Sequence, residues 1–229
     1  MKGNYSMNNN IIKRDFALPF IYIIMISLIN FFNDNLYINY TVEIFMILSL
    51  FLLWCIFHKD NYKKQLLNGF MFVKSHYKYI LILSILMLTA KNLFVFIVKN
   101  FAPSNISFVQ TQNDISIQNE LSQSILAASL IFITSVIGAP IIEEFLFRHL
   151  LIGELGKKFN YTYMSVLSLL VFSSLHVVSS KSFLELGPYI IISLCIIISY
   201  IKTGKKLSIA ISLHFINNLH AYFMLFINS

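Results

Sequence analysis

Charge is scarce in this sequence. Only 12% of its 229 residues are Asp, Glu, Lys or Arg, while 57% are hydrophobic and the mean hydropathy is +0.73. Soluble domains carry about 25% charged residues, so this composition indicates a chain that crosses a membrane several times. The length has room for about seven helices of about 20 residues with short loops. We therefore expect an all-α, polytopic transmembrane helix bundle without a separate soluble domain.

The sequence also lacks a cysteine motif, a signal-peptide cleavage site and a basic and aromatic stripe. The two cysteines, Cys55 and Cys195, lie in apolar runs without a CxxC pattern, so they indicate buried thiols and say nothing about the redox compartment. No small-residue cleavage site follows the first apolar run, so we expect it to be an anchor. The net charge is +7, but the lysines lie in short loops and form no basic and aromatic stripe. This argues against nucleic acid as a partner.

Seven apolar runs divide the chain. We expect a cytoplasmic tail over 1–14, N-terminal transmembrane helices and loops over 15–122, and a C-terminal transmembrane core over 123–229. The loop 58–78 has apolar residues that suggest a part lying on the membrane surface. The spans are predicted at about 15–32, 42–57, 79–98, 123–151, 161–178, 187–201 and 207–227, with polar loops at 33–41 and 99–122.

The lysines and arginines predict the orientation. With the N-terminus in the cytoplasm, most of the 17 basic residues fall in cytoplasmic segments, and the outer loops hold only Lys99 and Lys181. Seven spans then place the C-terminus outside. Lys91 lies inside the third span, and we interpret it as a structural lysine that is paired across helices or reaches the interface. Substrate binding is the alternative.

An acidic motif ends a run of apolar residues that is long enough to cross a bilayer. Glu143 and Glu144 follow it, with Arg148 four residues after Glu144, so Glu144 and Arg148 share a helix face and can pair. Glu143 points about 100° away and can face a cavity. Pro140 removes one helical hydrogen bond and opens the backbone near the carboxylates. The alternative, which involves no catalytic role, is that the three charged side chains reach the membrane interface from the end of a helix.

Two later spans carry histidines. His176 ends the pattern Phe172-x-x-x-His176, and His214 and Asn218 share a face because they lie four residues apart. Acid, imidazole and amide on three helices are the groups that hydrolysis of an acyl bond needs. His176 is much further along its span than His214, so their meeting requires the fifth helix to begin outside the bilayer, tilt or bend.

These three motifs resemble those of the CPBP family of intramembrane endopeptidases, which includes CAAX-prenyl proteases and bacteriocin-processing or immunity (Abi) proteins. Glu143-Glu144-x-x-x-Arg148, Phe172-x-x-x-His176 and His214-x-x-x-Asn218 occur in the family's order, and Tyr200-x-Lys202-Thr203-Gly204 is similar to its common loop. The resemblance covers about 125–227 and makes 123–229 the catalytic core. Two features depart from the pattern: His149 replaces a frequent glycine, and the segment after His176 is short, so only a small cap is expected there.

The resemblance implies a set of catalytic residues. Glu143 would activate a water, and His176 would orient that water or donate a proton. His214 and Asn218 would bind the scissile carbonyl, while Glu144 would pair with Arg148. The metal question stays open. If a zinc ion is bound, Glu143, His176 and His214 are its ligands. However, the sequence has no H-E-x-x-H pattern. We therefore expect no permanently bound metal and no other cofactor.

The predicted function is hydrolysis of a peptide bond in a membrane-associated peptide, such as a leader peptide, a pheromone precursor or a bacteriocin. Abundant Asn, Ile and Lys suggest an AT-rich bacterial source and the cytoplasmic membrane, which argues against a prenylated CAAX substrate. One alternative is a non-catalytic membrane immunity or scaffold protein with the family fold. A transporter or proton relay is another, although the sequence shows no inverted repeat.

Overall fold

The computed structural model describes residues 11–32 and 35–227, where all regular structure is helical. Most of the predicted tail lies outside the described residues. A short 3₁₀ turn at Lys13–Phe16 precedes the first helix, and another at Phe183–Glu185 precedes the eighth. The helices are α1 Ala17–Phe32, α2 Leu36–Phe57, α3 Tyr62–Ser75, α4 Tyr77–Phe101, α5 Gln112–Leu121, α6 Ile125–Phe159, α7 Tyr161–Leu175, α8 Leu186–Lys202 and α9 Leu207–Ile227.

The prediction of a polytopic helical bundle is confirmed, but the count of seven spans is not. Five described helices are long and apolar enough to cross a membrane: α2, α4, α6, α9, and α8 together with the 3₁₀ turn that leads into it, Phe183–Lys202. Helix α7 is a shorter apolar helix of 15 residues, and α1 has 16. At a rise of about 1.5 Å per residue, 15 residues reach about 22 Å, less than the bilayer core of about 30 Å.

Three predicted loops were too long. Helix α3 occupies most of 58–78, and α5 lies within 99–122. Helix α2 starts at Leu36 inside the predicted loop 33–41, whose residues 33 and 34 lie outside the described part of the chain. The early start has a local cause, because the Asn35 side chain accepts hydrogen bonds from the Tyr37 and Ile38 amides and caps the helix.

Helix α3 exposes its apolar side chains. Leu66, Leu67, Phe70 and Met71 are all exposed, and no residue of this helix is buried. A helix with exposed apolar residues and basic residues on other positions has the composition of one that lies in the membrane interface. Its placement on the membrane surface stays a prediction.

The main hydrophobic core joins four helices. Branched aliphatic side chains of α8 fill its centre, and α4, α6 and α9 pack around them. Packing of this apolar surface fixes the relative positions of α6 and α9, the helices that carry the first and third motifs. The buried members are Ile80, Met87, Ile152, Ile192, Ile196, Ile197, Tyr200, Ile209, Ala210 and Leu213.

Helix α6 is not a regular α-helix. Two π-helical stretches, Phe132–Gly138 and Phe145–Leu155, flank a short α-helical segment at Ala139–Glu144 that ends on the two glutamates. Such wide turns inside helices occur frequently at functional sites. Gly138 lets α2 approach closely, because a Cβ atom there would lie 2.4 Å from the Cδ1 of Ile47. The break predicted at Pro140 therefore takes the form of π-helical turns.

The turn between α8 and α9 explains the Tyr200 to Gly204 pattern. Gly204 adopts φ of +71°, a left-handed conformation that a residue without a Cβ reaches without strain. The Tyr200 side chain is buried, and the backbone carbonyl of Tyr200 accepts a hydrogen bond from the Lys205 amide at 2.7 Å. These contacts end α8 and set the start of α9, the helix that carries His214 and Asn218.

Candidate functional site

The structure brings one glutamate and two histidines together from three helices. Glu143 Oε2 lies 3.7 Å from His176 Nε2 and 4.0 Å from His214 Nε2. This oxygen is buried and has no hydrogen-bond partner among the described residues. Each separation is too long for a direct hydrogen bond, and the three atoms surround a position where one water molecule could contact all of them.

The proton positions of both imidazoles follow from their other contacts. His176 Nδ1 lies 2.8 Å from the carbonyl oxygen of Phe172, and His214 Nδ1 lies 2.8 Å from Glu144 Oε1. A carbonyl or an ionised carboxylate only accepts, so both Nδ1 atoms carry hydrogen. In a neutral ring the Nε2 lone pair therefore faces Glu143, and in an imidazolium an Nε2–H faces it. Because a water has only two hydrogens, it can donate to Glu143 and to one of the two Nε2 atoms at once.

Glu144 forms a fully buried pair with Arg148. The Arg148 Nε lies 3.0 Å from Glu144 Oε2, and neither side chain has exposed surface. Arg148 also donates to the Ser193 hydroxyl at 3.2 Å. Since the other oxygen of Glu144 accepts from His214, one carboxylate neutralises the arginine and orients an imidazole. Sequence spacing predicts the Arg148 contact, but the contact with His214 depends on how α6 and α9 pack.

Phe172 explains why the second motif begins with an aromatic residue. Its ring is 1% exposed, and the Arg148 guanidinium lies 4.7 Å from the ring centroid. The same ring packs against the imidazoles of His176 and His214 at centroid distances of 4.6 and 5.7 Å. It separates the buried cation from the two histidines and restricts the motion of both rings.

Asn218 lies on α9 one turn beyond His214, and its amide binds the backbone of α6. Its Nδ2 donates to the carbonyl of Ser135 at 2.9 Å. The Ala139 amide donates to the Thr134 carbonyl five residues earlier, which is the π-helical pattern. In the same pattern, the Ser135 carbonyl would accept a hydrogen bond from the backbone N–H of residue 140, which is Pro140. Proline has none. The acceptor that Pro140 leaves without a helical partner is thus the one that Asn218 binds.

A third acidic residue near the site escaped the sequence motifs. Glu43 of α2 accepts a hydrogen bond from the Tyr22 hydroxyl at 2.9 Å, and both groups are close enough to Glu143 to interact with it electrostatically. Glu43 is the one acidic residue in the predicted span 42–57. An ionisable residue inside an apolar span signals a functional site, so it was recognisable from the sequence.

His149 faces away from the Glu143 site. Its Nε2 lies 3.3 Å from Oδ2 of Asp15, whose other oxygen lies 2.9 Å from His58 Nε2. Asp15 precedes α1 and is fully buried. Burial raises the pKa of this carboxyl, but the hydrogen bonds and charges of His149 and His58 outweigh burial, so the pKa of Asp15 lies below its usual value. The histidine that departs from the family pattern thus binds the N-terminal segment.

The cover over the site is larger than the segment after His176 suggests. Residues before and within α5 dock on that segment: the Gln112 amide donates to Glu185 Oε2 at 2.7 Å, and the Ser182 hydroxyl donates to the Ile106 carbonyl at 2.6 Å. The Tyr189 ring contacts His176 at a centroid distance of 4.8 Å. The prediction of a small cap concerned the segment after His176 alone and stays a prediction, and residues of the N-terminal half pack on this segment in addition.

A large apolar cavity lies beside the site. Its volume is about 1130 Å³, and α1, α2, α3, α6 and α9 line it. None of the six predicted site residues lines it, although Tyr22, the partner of Glu43, does. Arg14, Lys205 and Lys206 are among its lining residues. The cavity is wide enough for an extended peptide or an acyl chain.

Helix α7 reaches the site despite the difference in depth. His176 follows Tyr161 by about 22 Å along the helix axis, whereas His214 follows Leu207 by only about 10 Å. Because the two imidazoles meet Glu143, the two helices cannot both run straight along the membrane normal from the same level.

The described residues contain no group of three or more His, Cys, Asp and Glu side chains disposed to hold a metal ion. Two ligand atoms about 2.0–2.2 Å from a tetrahedral zinc ion lie about 3.4 Å apart, and the spacings of 3.7 and 4.0 Å around Glu143 Oε2 are only slightly longer. These spacings are compatible with a shared water and, after a small shift of the side chains, with a metal ion, so the expectation of no permanently bound metal stays a prediction.

Together, these features define a class: a multi-pass helical membrane protein with an acid and imidazole pocket inside the bundle. Residues 125–220 match the model of the family described as type II CAAX prenyl endopeptidase Rce1-like. This part of the chain is therefore similar to the CAAX protease family that its motifs resemble. All six predicted site residues fall within the matched segment, and α1 to α5 precede it. No curated protein and no solved structure matches the chain in these comparisons.

Proposed function

We propose that this protein is an intramembrane endopeptidase of the bacterial cytoplasmic membrane that cleaves a membrane-associated peptide by glutamate-activated water. The observation that supports it best is the position shared by Glu143 Oε2, His176 Nε2 and His214 Nε2. A water there is within reach of a carboxylate base and of two imidazole nitrogens, and donating its two hydrogens to Glu143 and His176 would leave its oxygen free to face a substrate carbonyl.

In this mechanism Glu143 takes a proton from the water as its oxygen attacks the carbonyl carbon. The negative charge moves to the carbonyl oxygen, where Asn218 and His214, which is an imidazolium from the start of the reaction and keeps its proton, donate hydrogen bonds. Glu144 stabilises the imidazolium form of His214, as the buried aspartate does in a serine protease triad. His176 passes the proton from Glu143 to the leaving nitrogen, and the C–N bond breaks. The products are a carboxylic acid and an amine.

The surroundings of the site support the substrate class that we propose. The cavity of about 1130 Å³ is lined mostly by apolar side chains and also by the basic residues Arg14, Lys205 and Lys206. We expect a hydrophobic segment of a leader peptide, pheromone precursor or bacteriocin to reach the site from this side. The family description names prenyl endopeptidases, but we expect no prenylated CAAX substrate for a bacterial enzyme.

The decisive comparison is between cells producing the wild-type chain and cells producing Glu143→Gln. Mass spectrometry of cell-envelope peptides should show cleavage products that disappear in the variant while the uncut precursor accumulates. Identical peptide profiles would contradict the proposal and favour the non-catalytic immunity or scaffold protein, especially if the cellular phenotype also survives the substitution.

The metal question has its own test. We expect cleavage of the peptide identified in that comparison to continue in strong chelators, because the water can be activated by Glu143 alone. Loss of activity that zinc restores would show that a metal is required.

A further inference from the structure

Asn218 is the third member of a row of four hydrogen-bonding groups. Lys91 of α4 donates from Nζ to Asn217 Oδ1 at 3.3 Å, and Asn217 Nδ2 donates to Asn218 Oδ1 at 3.0 Å. Asn218 Nδ2 then donates to the carbonyl of Ser135 at 2.9 Å. The row connects α4, α9 and α6.

The two ends of the row determine its direction. An ammonium group only donates, and a backbone carbonyl only accepts. Lys91 therefore requires the oxygen of Asn217, and Ser135 requires the nitrogen of Asn218. With both amides in this orientation every contact pairs a donor with an acceptor. Turning either amide by 180° would place two acceptors or two donors against each other, which removes the usual ambiguity of amide assignment.

One hydrogen of Asn218 remains unused in this arrangement. Its Oδ1 is occupied by Asn217, and one Nδ2 hydrogen is occupied by Ser135. The second Nδ2 hydrogen has no acceptor among the described residues, and it belongs to the amide one turn from His214. A free amide rotor would present oxygen and nitrogen alternately, and only the nitrogen can stabilise an oxyanion.

We infer that Lys91 and Asn217 are positioning residues that hold the Asn218 amide with its nitrogen towards the reacting carbonyl. This role rests on the proposed peptidase function, in which Asn218 stabilises the oxyanion. It makes α4, outside the three family motifs, part of the machinery that prepares the site. Asp114 of α5 is close enough to Lys91 to interact with its charge, so neutralising Asp114 is the rival role for this lysine.

The kinetic test uses the full-length protein in lipid nanodiscs and a fluorogenic peptide spanning the cleavage site found by mass spectrometry. Lys91→Met should lower kcat about 10- to 100-fold through misplacement of the amide, with KM within about twofold of wild type. Lys91→Arg should recover part of that loss, because a guanidinium is also a pure donor. Lys99→Met, at the exposed end of the same helix, should leave both parameters unchanged.

A double variant separates positioning from charge neutralisation. If Lys91 acts through Asn218, adding Lys91→Met to Asn218→Ala should cost little further kcat. An equal loss in both backgrounds, or an unchanged kcat in Lys91→Met, would overturn the inference. Asn217→Asp provides a second route, since its carboxylate faces Asn218 Oδ1 with another acceptor, and it should also lower kcat.

Unfolding measurements keep this result distinct from the proposed function. A double-mutant cycle of Lys91→Met and Asn217→Leu should show coupling in unfolding if the row exists, whether or not any peptide is cleaved. Coupling with no wild-type cleavage would defeat the peptidase proposal and the positioning role with it. Wild-type cleavage without dependence on Lys91 would defeat only the positioning role.

Discussion

The two adjacent glutamates differ in surroundings and therefore in expected role. Glu144 is fully buried between Arg148 and His214, whereas 27% of the Glu143 side chain is exposed and its Oε2 faces both histidines. A buried carboxylate with two cationic or donor partners is suited to hold a structure, and a partly exposed one can exchange protons with water. Adjacent positions on one helix thus serve separate tasks.

This difference gives a paired prediction for the two residues. Glu143→Gln should abolish cleavage and leave the unfolding temperature close to wild type. Glu144→Gln should also destabilise the protein by about 3–5 kcal/mol, because it leaves Arg148 buried without its counter-charge. Thermal unfolding in detergent can be followed by labelling the two partly buried free thiols, Cys55 and Cys195. Equal unfolding temperatures for the two variants would contradict the assignment.

Asp15 gives a prediction about acid. The pKa of Asp15 is lowered in the folded protein, so its charged form stabilises the fold above the pKa of the unfolded chain. That contribution is lost as the pH falls through the lower, folded pKa, which lies beneath the ordinary value of about 3.9. Wild type should therefore lose stability below about pH 4, while Asp15→Asn should be less stable at pH 7 and lose less on acidification. Parallel curves from pH 7 to pH 3 would show that Asp15 contributes nothing.

At the scale of an element, α6 is the unusual helix. Its π-helical turns on both sides of Ala139–Glu144 change which backbone carbonyls are available and which direction the glutamates face. Pro140 keeps the Ser135 carbonyl available to Asn218. A proline that would normally only weaken a helix connects α6 to α9 in this protein.

Pro140→Ala should restore a backbone N–H that competes with Asn218 for the Ser135 carbonyl. We expect kcat to fall about tenfold or more through loss of amide orientation, while the unfolding temperature stays equal or rises. Pro103→Ala is the control, because Pro103 is exposed in the loop that follows α4 and lies in no helix. A kcat unaffected by Pro140→Ala would show that the missing N–H is irrelevant to catalysis.

At the scale of the whole molecule, the number of membrane crossings sets where each end of the chain lies. Five described helices are long enough to span, while α1 and α7 are shorter and fold into the same bundle. A short helix can still complete a crossing if the bilayer thins locally or if polar backbone beyond it is covered by protein. The segment after α7, covered by residues around α5, meets the second condition.

We therefore expect seven crossings, with the N-terminus in the cytoplasm and the C-terminus outside. A periplasmic phosphatase fused after Ser229 should be active in intact cells, and a fluorescent protein that matures only in the cytoplasm should stay dark there. The same two reporters fused after Lys158 should give the opposite result, since that site carries cytoplasmic lysines. Matching results at the two sites would rule out seven crossings.

Several features of this protein were decided by its sequence alone. Long apolar runs must become helices in a bilayer, because no water is present there to satisfy the backbone. Spacing of four residues places Glu144 beside Arg148 and His214 on the same face as Asn218, whatever surrounds them. Helix α9 begins and ends where the last apolar run begins and ends, at Leu207 and Ile227, as predicted.

Contacts between distant residues were decided only by the tertiary structure. Three sets of contacts join positions up to 126 residues apart. They are the contacts of Glu144 with Arg148 and His214, the Glu43–Tyr22 pair near Glu143, and the row from Lys91 to Ser135. No local pattern encodes such pairs, because they depend on how packed helices are rotated and tilted against one another. Helix α5 was missed for a related reason: its polar sequence reads as a loop, and docking on the segment after α7 orders it.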